Sequence, residues 1–376
     1  MEFTVSKADL VRELNLSQGV VEKKTTIPIL SNVLLEASGD RIQLTATDLE
    51  LGIRCVCPAR VVKPGSGTIP AKRLLDYVRL LPDADVQVKM LDNQWASLLC
   101  GRSRTRIAGM SRESFPELPV MPETLAEIPA GMLSGMIEKT IFAISAEESR
   151  FTLNGALLIL KSTGIIMVAT DGHRLSLVER EIELPGLTSQ YRALLPRKAM
   201  SEILKLDGEE GTETKVKFSG DENHLFFQFE DRLLLSRKLT GNFPDFERVL
   251  PKENPLSVNI GREDLRGSLE RVAQFSDERS RAIRLKVAPG EVKIHSSLSE
   301  TGESEESIPV TYDGATVEIG FNAQYLLDFV RAASGNEVTL FFKDGNSAGE
   351  LRPAVDSSKP ETALLKYRYV VMPMRI

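Results

Sequence analysis

The stretch Ile165-Ile166-Met167-Val168-Ala169-Thr170-Asp171-Gly172-His173-Arg174-Leu175-Ser176-Leu177 reads as a hairpin. Ile165 to Ala169 form an apolar, β-rich run, the pattern of a buried strand. Asp171-Gly172 is a turn signal, with glycine supplying the positive φ that a tight turn needs. Leu175 and Leu177 alternate with polar neighbours, as a half-buried return strand would. The tip gathers Thr170, Asp171, His173 and Arg174. A quieter version runs from Ile42 to Leu51, through Thr47, Asp48 and Glu50. Asp48 and Asp171 lie 123 residues apart, a domain length, and the spacing points to repeats along the whole chain.

Three segments open alike, at Phe3 to Leu10, Ala126 to Leu133 and Val258 to Leu265. Each is a short extended piece running into an amphipathic pattern: Leu10 and Leu14; Leu133, Ile137 and Ile141; Leu265, Leu269 and Val272. A second helix recurs after Pro70, from Pro196 and from Phe321. Proline before or within the first turn is a helix opener. The six helices predicted are 7–24, 71–81, 130–145, 196–206, 261–275 and 322–333. Strands with period-2 patterning fill the rest, for example Val86-Val88-Met90, Leu225-Phe227-Phe229 and Val338-Leu340. Phe115-Pro116-Glu117-Leu118 and Phe243-Pro244-Asp245-Phe246 close the first two segments. Each segment thus reads as strand–helix–three strands written twice. The expected fold is α+β, three tandem duplicated βαβββ domains at 1–121, 122–252 and 253–376. A period this long marks duplicated domains, since solenoid repeats run ~20–50 residues.

Composition narrows the class. The chain has 376 residues, 42% hydrophobic, and 3 cysteines, Cys55, Cys57 and Cys100. An odd, low cysteine count without paired spacing fits a reducing cytoplasm. Cys55 and Cys57 share one strand face and read as core. The start lacks a basic n-region followed by an apolar run, and no stretch reaches the ~18 unbroken apolar residues of a membrane span. A cytoplasmic location without membrane partners is expected. Net charge is −6, which taken whole argues against nucleic acid. Yet the predicted helices carry 15 Lys and Arg against 10 Asp and Glu. The helices are therefore cationic within an acidic chain, and they could face something anionic without reading sequence. Lys72-Arg73 and Arg197-Lys198 sit at helix starts, against the macrodipole.

Several phrases resemble the bacterial DNA polymerase III beta subunit family, the sliding clamps of replication. They include Pro28-Ile29-Leu30, Thr47-Asp48-Leu49-Glu50, Leu153-Asn154-Gly155, Ala169 to Leu175, Pro196-Arg197-Lys198, Phe243-Pro244-Asp245, Ile319 to Asn322 and Tyr369 to Arg375. The resemblance spans essentially the full length. It implies a clamp fold whose two subunits close head-to-tail into a ring around duplex DNA, with helices lining the hole and sheets outside. The protein would be a non-catalytic processivity subunit with no cofactor. Its partners would be double-stranded DNA, a second copy, the replicative polymerase alpha subunit, the clamp loader, and other polymerases and repair proteins carrying short peptide motifs.

Carried over by motif, the resemblance implies a peptide groove at Arg150, Leu153, Thr170, Gly172, His173, Arg174, Leu175, Pro244, Arg248, Val249, Asn322, Tyr325, Val371, Met372, Pro373, Met374 and Arg375. Apolar members would form a cleft, an adaptable methionine would receive varied side chains, and Arg174 and Arg375 would hold polar or acidic groups. DNA contacts are expected at Lys24, Arg73, Arg150, Arg197 and Lys198. Ring closure is expected to pair Arg102, Arg104 and Arg106, on a strand, with Glu300, Glu303, Glu305 and Glu306, in a loop, beside Gln274 and Phe275. Residues 344–368 look longer than the family pattern and read as a hairpin insertion. Ala348 stands where a small hydroxyl residue is expected. The alternative is an enzyme or ligand-binding protein using Asp171 and His173. No Gly-x-Ser-x-Gly, His-Glu-x-x-His or P-loop motif accompanies those two residues.

Overall fold

The computed structural model describes residues 1–21, 26–147, 149–207, 214–298, 302–354 and 365–375. Each repeat is a βαβββ module written twice. The first runs β1 (Glu2–Ser6), α1 (Lys7–Val20), β2 (Asn32–Ser38), β3 (Arg41–Thr47) and β4 (Leu51–Pro58), with a short extra strand β5 (Arg60–Lys63). It continues with β6 (Gly65–Pro70), α2 (Ala71–Leu80), β7 (Asp85–Met90), β8 (Trp95–Cys100) and β9 (Ser103–Ala108). The second has β10 (Ala126–Pro129), α3 (Ala130–Glu138), β11 (Gly155–Lys161), β12 (Gly164–Thr170) and β13 (Arg174–Glu181). Then come β14 (Tyr191–Pro196), α4 (Arg197–Asp207), β15 (Lys215–Gly220), β16 (His224–Phe229) and β17 (Arg232–Arg237). The third has β18 (Leu256–Gly261), α5 (Arg262–Val272), β19 (Ala282–Ala288), β20 (Glu291–Leu298) and β21 (Gly302–Pro309). It ends with β22 (Val317–Asn322), α6 (Ala323–Ala332), β23 (Glu337–Phe342), β24 (Gly349–Pro353) and β25 (Leu365–Val371).

These modules build two compact units, Met1–Ser134 with Lys198–Lys238, and Gly135–Arg197 with Leu239–Ile376. In the first unit an eight-stranded antiparallel sheet runs β10-β15-β16-β17-β4-β3-β2-β6, beside a five-stranded sheet β5-β1-β7-β8-β9. In the second, β14-β11-β12-β13-β25-β24-β23-β18 accompany β21-β20-β19-β22. Each large sheet therefore crosses a repeat boundary, by β17 on β4 (Leu233 opposite Arg54) and by β13 on β25 (Arg174 opposite Val371). The central repeat contributes one half to each unit.

Local chemistry explains the element ends. Ser6 caps α1, accepting from Asp9 N at 3.1 Å while its hydroxyl donates to the Asp9 carboxylate at 2.6 Å, a reciprocal cap that satisfies orphan donors. Asn322 caps α6, its Oδ1 accepting from Gln324 N and Tyr325 N. The apolar stripe of α1, Leu10, Leu14 and Val20, is buried, as is that of α5, Leu265, Leu269 and Val272. Glu13 on α1 is also buried, at 1% exposure, and meets Arg232 of β17 through two bonds of 3.0 and 2.9 Å.

Some expectations are corrected. The helix predicted over 130–145 stops at Glu138, where the Thr140 hydroxyl donates to Met136 O at 2.9 Å and Ile137 O at 3.3 Å. A 3-10 turn follows at Ile141–Ala143. Side-chain bonding of this kind competes with the helical ladder. The helix predicted over 7–24 ends at Val20, and residues 22–25 lie outside the described residues. Glu303, Glu305 and Glu306 lie on the strand β21, not in a loop, while Glu300 falls outside the described residues. Arg102 sits in the turn before β9, which carries Arg104 and Arg106. Of the segment 344–368, residues 355–364 lie outside the described residues, and the rest includes β24 and the start of β25. Cys55 and Cys57 are buried side by side on β4 with free thiols, and burial, with Glu13 adding to it, pushes Cys57 up to about 12.

Candidate peptide groove and cationic surface

The two hairpin tips noticed in the sequence share one bonding pattern. In the second unit, Asp171 Oδ1 accepts from the backbone N–H of His173 and Arg174, at 2.9 and 3.1 Å. The Thr170 hydroxyl donates to Arg174 O and accepts from Gly172 N. In the first unit, Asp48 Oδ1 accepts from Glu50 N and Leu51 N, and Thr47 repeats the role of Thr170. Such turns use a short carboxylate to replace missing backbone partners. Gly172 has φ +90°, and Leu49 holds the equivalent position at +77°. Asp171 thereby shapes the turn, with Oδ1 on two backbone N–H groups and Oδ2 on Arg174.

The tip of β12–β13 forms one wall of an apolar cavity of about 110 Å³. Its lining includes Leu153, Thr170, Gly172, His173, Arg174, Leu175, Pro244, Val249 and Met372, nine of the residues expected from the sequence, together with Phe246 and Val370. The volume is near that of a benzene-sized void of ~150 Å³, so it suits one bulky apolar side chain. Each wall has a local cause. The register of β13 on β25 sets Val370 opposite Leu175. The Phe243-Pro244-Asp245-Phe246 phrase runs into a 3-10 turn, Phe246–Arg248, that packs Phe246 inward. Met372, 40% exposed, is pinned by its backbone N–H on His173 O at 2.9 Å, which leaves its side chain at the mouth.

The other expected groove residues lie outside this lining. Arg150 ties its loop down, donating to Asp171 O at 3.0 Å and pairing with Glu147 at 2.7 Å. Arg248 is well exposed and pairs with Asp245 at 2.8 Å. Val371 is a buried strand residue, and Met374 N bonds Gly320 O at 2.8 Å, carrying Pro373 and the exposed Arg375 along the edge of β22. Asn322 is spent as the α6 cap. Tyr325 lies against Arg174, its ring centroid 4.3 Å from the guanidinium carbon. Ala348 packs, half-buried, on the apolar cluster under the cavity.

Arg174 lines the cavity while its polar atoms face the protein. Its side chain is only 9% exposed and is used internally: Nε on Asp171 at 3.0 Å, Nη1 on Asp328 at 2.6 Å and Tyr369 OH at 3.4 Å, Nη2 on Phe142 O at 2.5 Å. Burial works against its charge, but Tyr369, Asp328 and Asp171 outweigh that and raise its pKa. Its charge is thus neutralised within the fold, and it forms a wall of the cavity.

In the first unit, a cleft of about 950 Å³ on α1, α2 and α4 is lined by Lys72, Arg79, Lys198 and Lys205. Each has a partner of its own: Lys72 with Asp76, Arg79 with Asn15, Lys198 with Asp48, Lys205 with Glu202. The surface is therefore cationic but moderated. Arg73 is exposed on α2 and Arg197 is exposed at the start of α4; Lys24 lies outside the described residues. Among the described residues, no group of three or more His, Cys, Asp or Glu is placed to hold a metal, and no helix is long and apolar enough to cross a membrane.

A βαβββ pair repeated three times defines a clamp fold. Family models of the DNA polymerase III beta subunit match along the chain: the N-terminal domain at residues 1–119, the central domain at 127–245 and the C-terminal domain at 247–375. The beta sliding clamp of Chlamydia muridarum is 33% identical, covering 100% of this chain and 99% of that protein, and the one of Pseudomonas putida is 35% identical over 100% of both. A crystal structure of the Pseudomonas aeruginosa sliding clamp bound to griselimycin superposes with a TM-score of 0.92 at 33% identity, covering 100% of both chains. The chain belongs to the DNA polymerase III beta subunit family, and its role is that of a sliding clamp, a processivity subunit without chemistry of its own.

Proposed function

We propose that two copies of this chain close head-to-tail around duplex DNA, hold it without reading sequence, and tether the replicative polymerase through the groove at Leu175 and Met372. The clamp loader, other polymerases and repair proteins would use the same groove, in the cytoplasm. The three repeats would correspond to domains at 1–121, 122–252 and 253–376. The groove carries the docking part of this reading: a small apolar cavity beside a methionine at the mouth takes a side chain of an extended peptide better than it takes a polar metabolite.

Ring closure is supported by two edge strands of opposite charge. β9 ends its sheet and presents Arg104 and Arg106 to solvent; β21 ends another and presents Glu303 and Glu305. Unpaired edges are templates for a second chain, and complementary charge would select the head-to-tail pairing. Glu306 is already held by Arg271 at 2.7 and 2.8 Å, so it contributes less, and Gln274 and Phe275, in the 3-10 turn after α5, would supply the less charged part. For DNA, moderated cations suit sliding, because each phosphate neutralised strengthens a salt-dependent grip.

Retention on nicked circular DNA tests the ring. Loaded protein should stay on the closed circle and leave when it is linearised, and Arg197→Glu with Lys198→Glu should reduce loading several-fold without unfolding the protein. Equal retention on linear DNA would overturn the reading. The groove is tested with griselimycin, the ligand bound in the Pseudomonas aeruginosa structure. Calorimetry should find binding to this protein and a loss of tenfold or more in Met372→Glu, since a carboxylate at the mouth would have to be desolvated.

A further inference from the structure

We propose that Asp328 is a positioning residue for the peptide groove: its carboxylate fixes the Arg174 guanidinium behind the β12–β13 tip, and Gln324 and Arg281 hold that carboxylate in place. The proposal rests on the groove being the peptide site. It names a residue on α6 that does not line the cavity and is absent from the motif-derived set.

Arg174 is held by groups from four places: the hairpin tip (Asp171), α6 (Asp328), β25 (Tyr369) and the 3-10 turn after α3 (Phe142). The rings of Tyr325 and Phe142 lie 4.3 and 5.6 Å from its guanidinium carbon. Asp171 belongs to the same hairpin, so it cannot fix that hairpin relative to anything else. Tyr369 and Phe142 offer neutral acceptors. Among the described residues Asp328 is the one carboxylate that anchors the guanidinium from outside the hairpin, and charge-assisted bonds are the strong ones. Its two oxygens are divided: Oδ2 accepts from Arg174, and Oδ1 accepts from Gln324 Nε2 at 2.7 Å.

Gln324 in turn accepts from Arg281 Nη1 through Oε1 at 3.0 Å. This gives the chain a direction. Because Arg281 can only donate, it turns the Gln324 carbonyl toward itself and the amide N–H toward Asp328. Without Arg281 the amide is free to turn over and set its oxygen against the carboxylate. Arg281 stands on an exposed loop with φ +48°, its backbone N–H on Asp277 O and its carbonyl accepting from Ala323 N. A run of side chains therefore connects a polar cleft on α5 and α6, lined by Glu270, Gln274 and Arg331, to the wall formed by Arg174. Freed from Asp328, the guanidinium can swing into the cavity, where its charge meets an apolar ligand.

The test uses the full chain and griselimycin as the probe. Asp328→Asn keeps the shape and removes the charge; its dissociation constant should rise about tenfold, equivalent to about 1.4 kcal/mol, with a native circular-dichroism spectrum at the assay temperature and an unchanged rate of loss of already loaded protein from circular DNA. The same substitution in an Arg174→Met background should add nothing, because the residue acts through Arg174. Gln324→Leu, on the outer side of the chain, should weaken binding about threefold and decides the matter if Asp328→Asn does not fold. Wild-type affinity in either folded single variant, or an equal Asp328→Asn effect with and without Arg174, would overturn the proposal. Wild-type affinity in Met372→Glu would instead remove the groove reading, and the proposal with it.

Discussion

Arg232→Ala should lower the unfolding free energy by about 3 kcal/mol, the low end for removing one member of a buried ion pair, read as a shift of the urea midpoint. Glu13 is 1% exposed and Arg232 grips it with both Nε and Nη2. The pair joins α1 of the first repeat to β17 of the second. Taking away the guanidinium leaves a carboxylate under α1 whose remaining charged partner among the described residues is Arg12, 40% exposed, with Nε at 2.8 Å. That residual partner is the reason for the low end. Replacing both members by apolar residues of similar size, Glu13→Leu with Arg232→Met, should restore most of the loss, since the destabilisation comes from the stranded charge. A midpoint within error of wild type in Arg232→Ala would mean that water reaches Glu13 readily, and the buried pair would have to be abandoned as a source of stability.

Gly155→Ala should cost about 2–3 kcal/mol, in the range for overpacking a tight site, and should weaken griselimycin binding as well. A Cβ there would lie 2.2 Å from Leu195 O and 2.7 Å from Leu239 Cδ1. The carbonyl cannot yield, because β11 and β14 are paired at this point, Ala156 opposite Leu195. The main chain of β11 must move instead, and it carries Leu153 of the groove two residues upstream. Gly131→Ala is the matched contrast. It lies in the first turn of α3 with nothing within 4 Å of the new methyl, so it should be neutral or stabilise by up to about 1 kcal/mol. Equal effects at the two positions would show that the Leu195 carbonyl moves aside.

Much of this architecture is legible in the sequence because its signals are local. The Thr-Asp pairs at 47–48 and 170–171 announce the two tips, proline announces α2 and α4, and i,i+4 leucines announce α1 and α5. The duplication follows from their spacing. What is not legible depends on groups far apart in the chain. Arg174 carries the same letter whether it greets a ligand or supports a wall, and its partners Phe142, Asp328 and Tyr369 come from 32, 154 and 195 positions away. Glu13 and Arg232 are 219 positions apart. Phe246 could have been found, since it repeats the position of Leu118 in the closing phrase. Val370 could not, because only the β13–β25 register places it opposite Leu175. β21 escaped notice because Gly302-Glu-Ser-Glu-Glu-Ser307 has almost no strand-forming side chains; it is held by its ladder to β20.

The pairing of β13 with β25 also has a bearing on biosynthesis. The two strands leave the ribosome with more than 180 residues of translation between them. Until residue 365 and its successors emerge, β13 has an open edge, and neither Val370 nor Met372 exists to complete the cavity. With the cavity as the proposed docking site, a nascent or prematurely stopped polypeptide would not yet compete for the partners of the finished molecule, and the order of synthesis itself would withhold binding from unfinished chains.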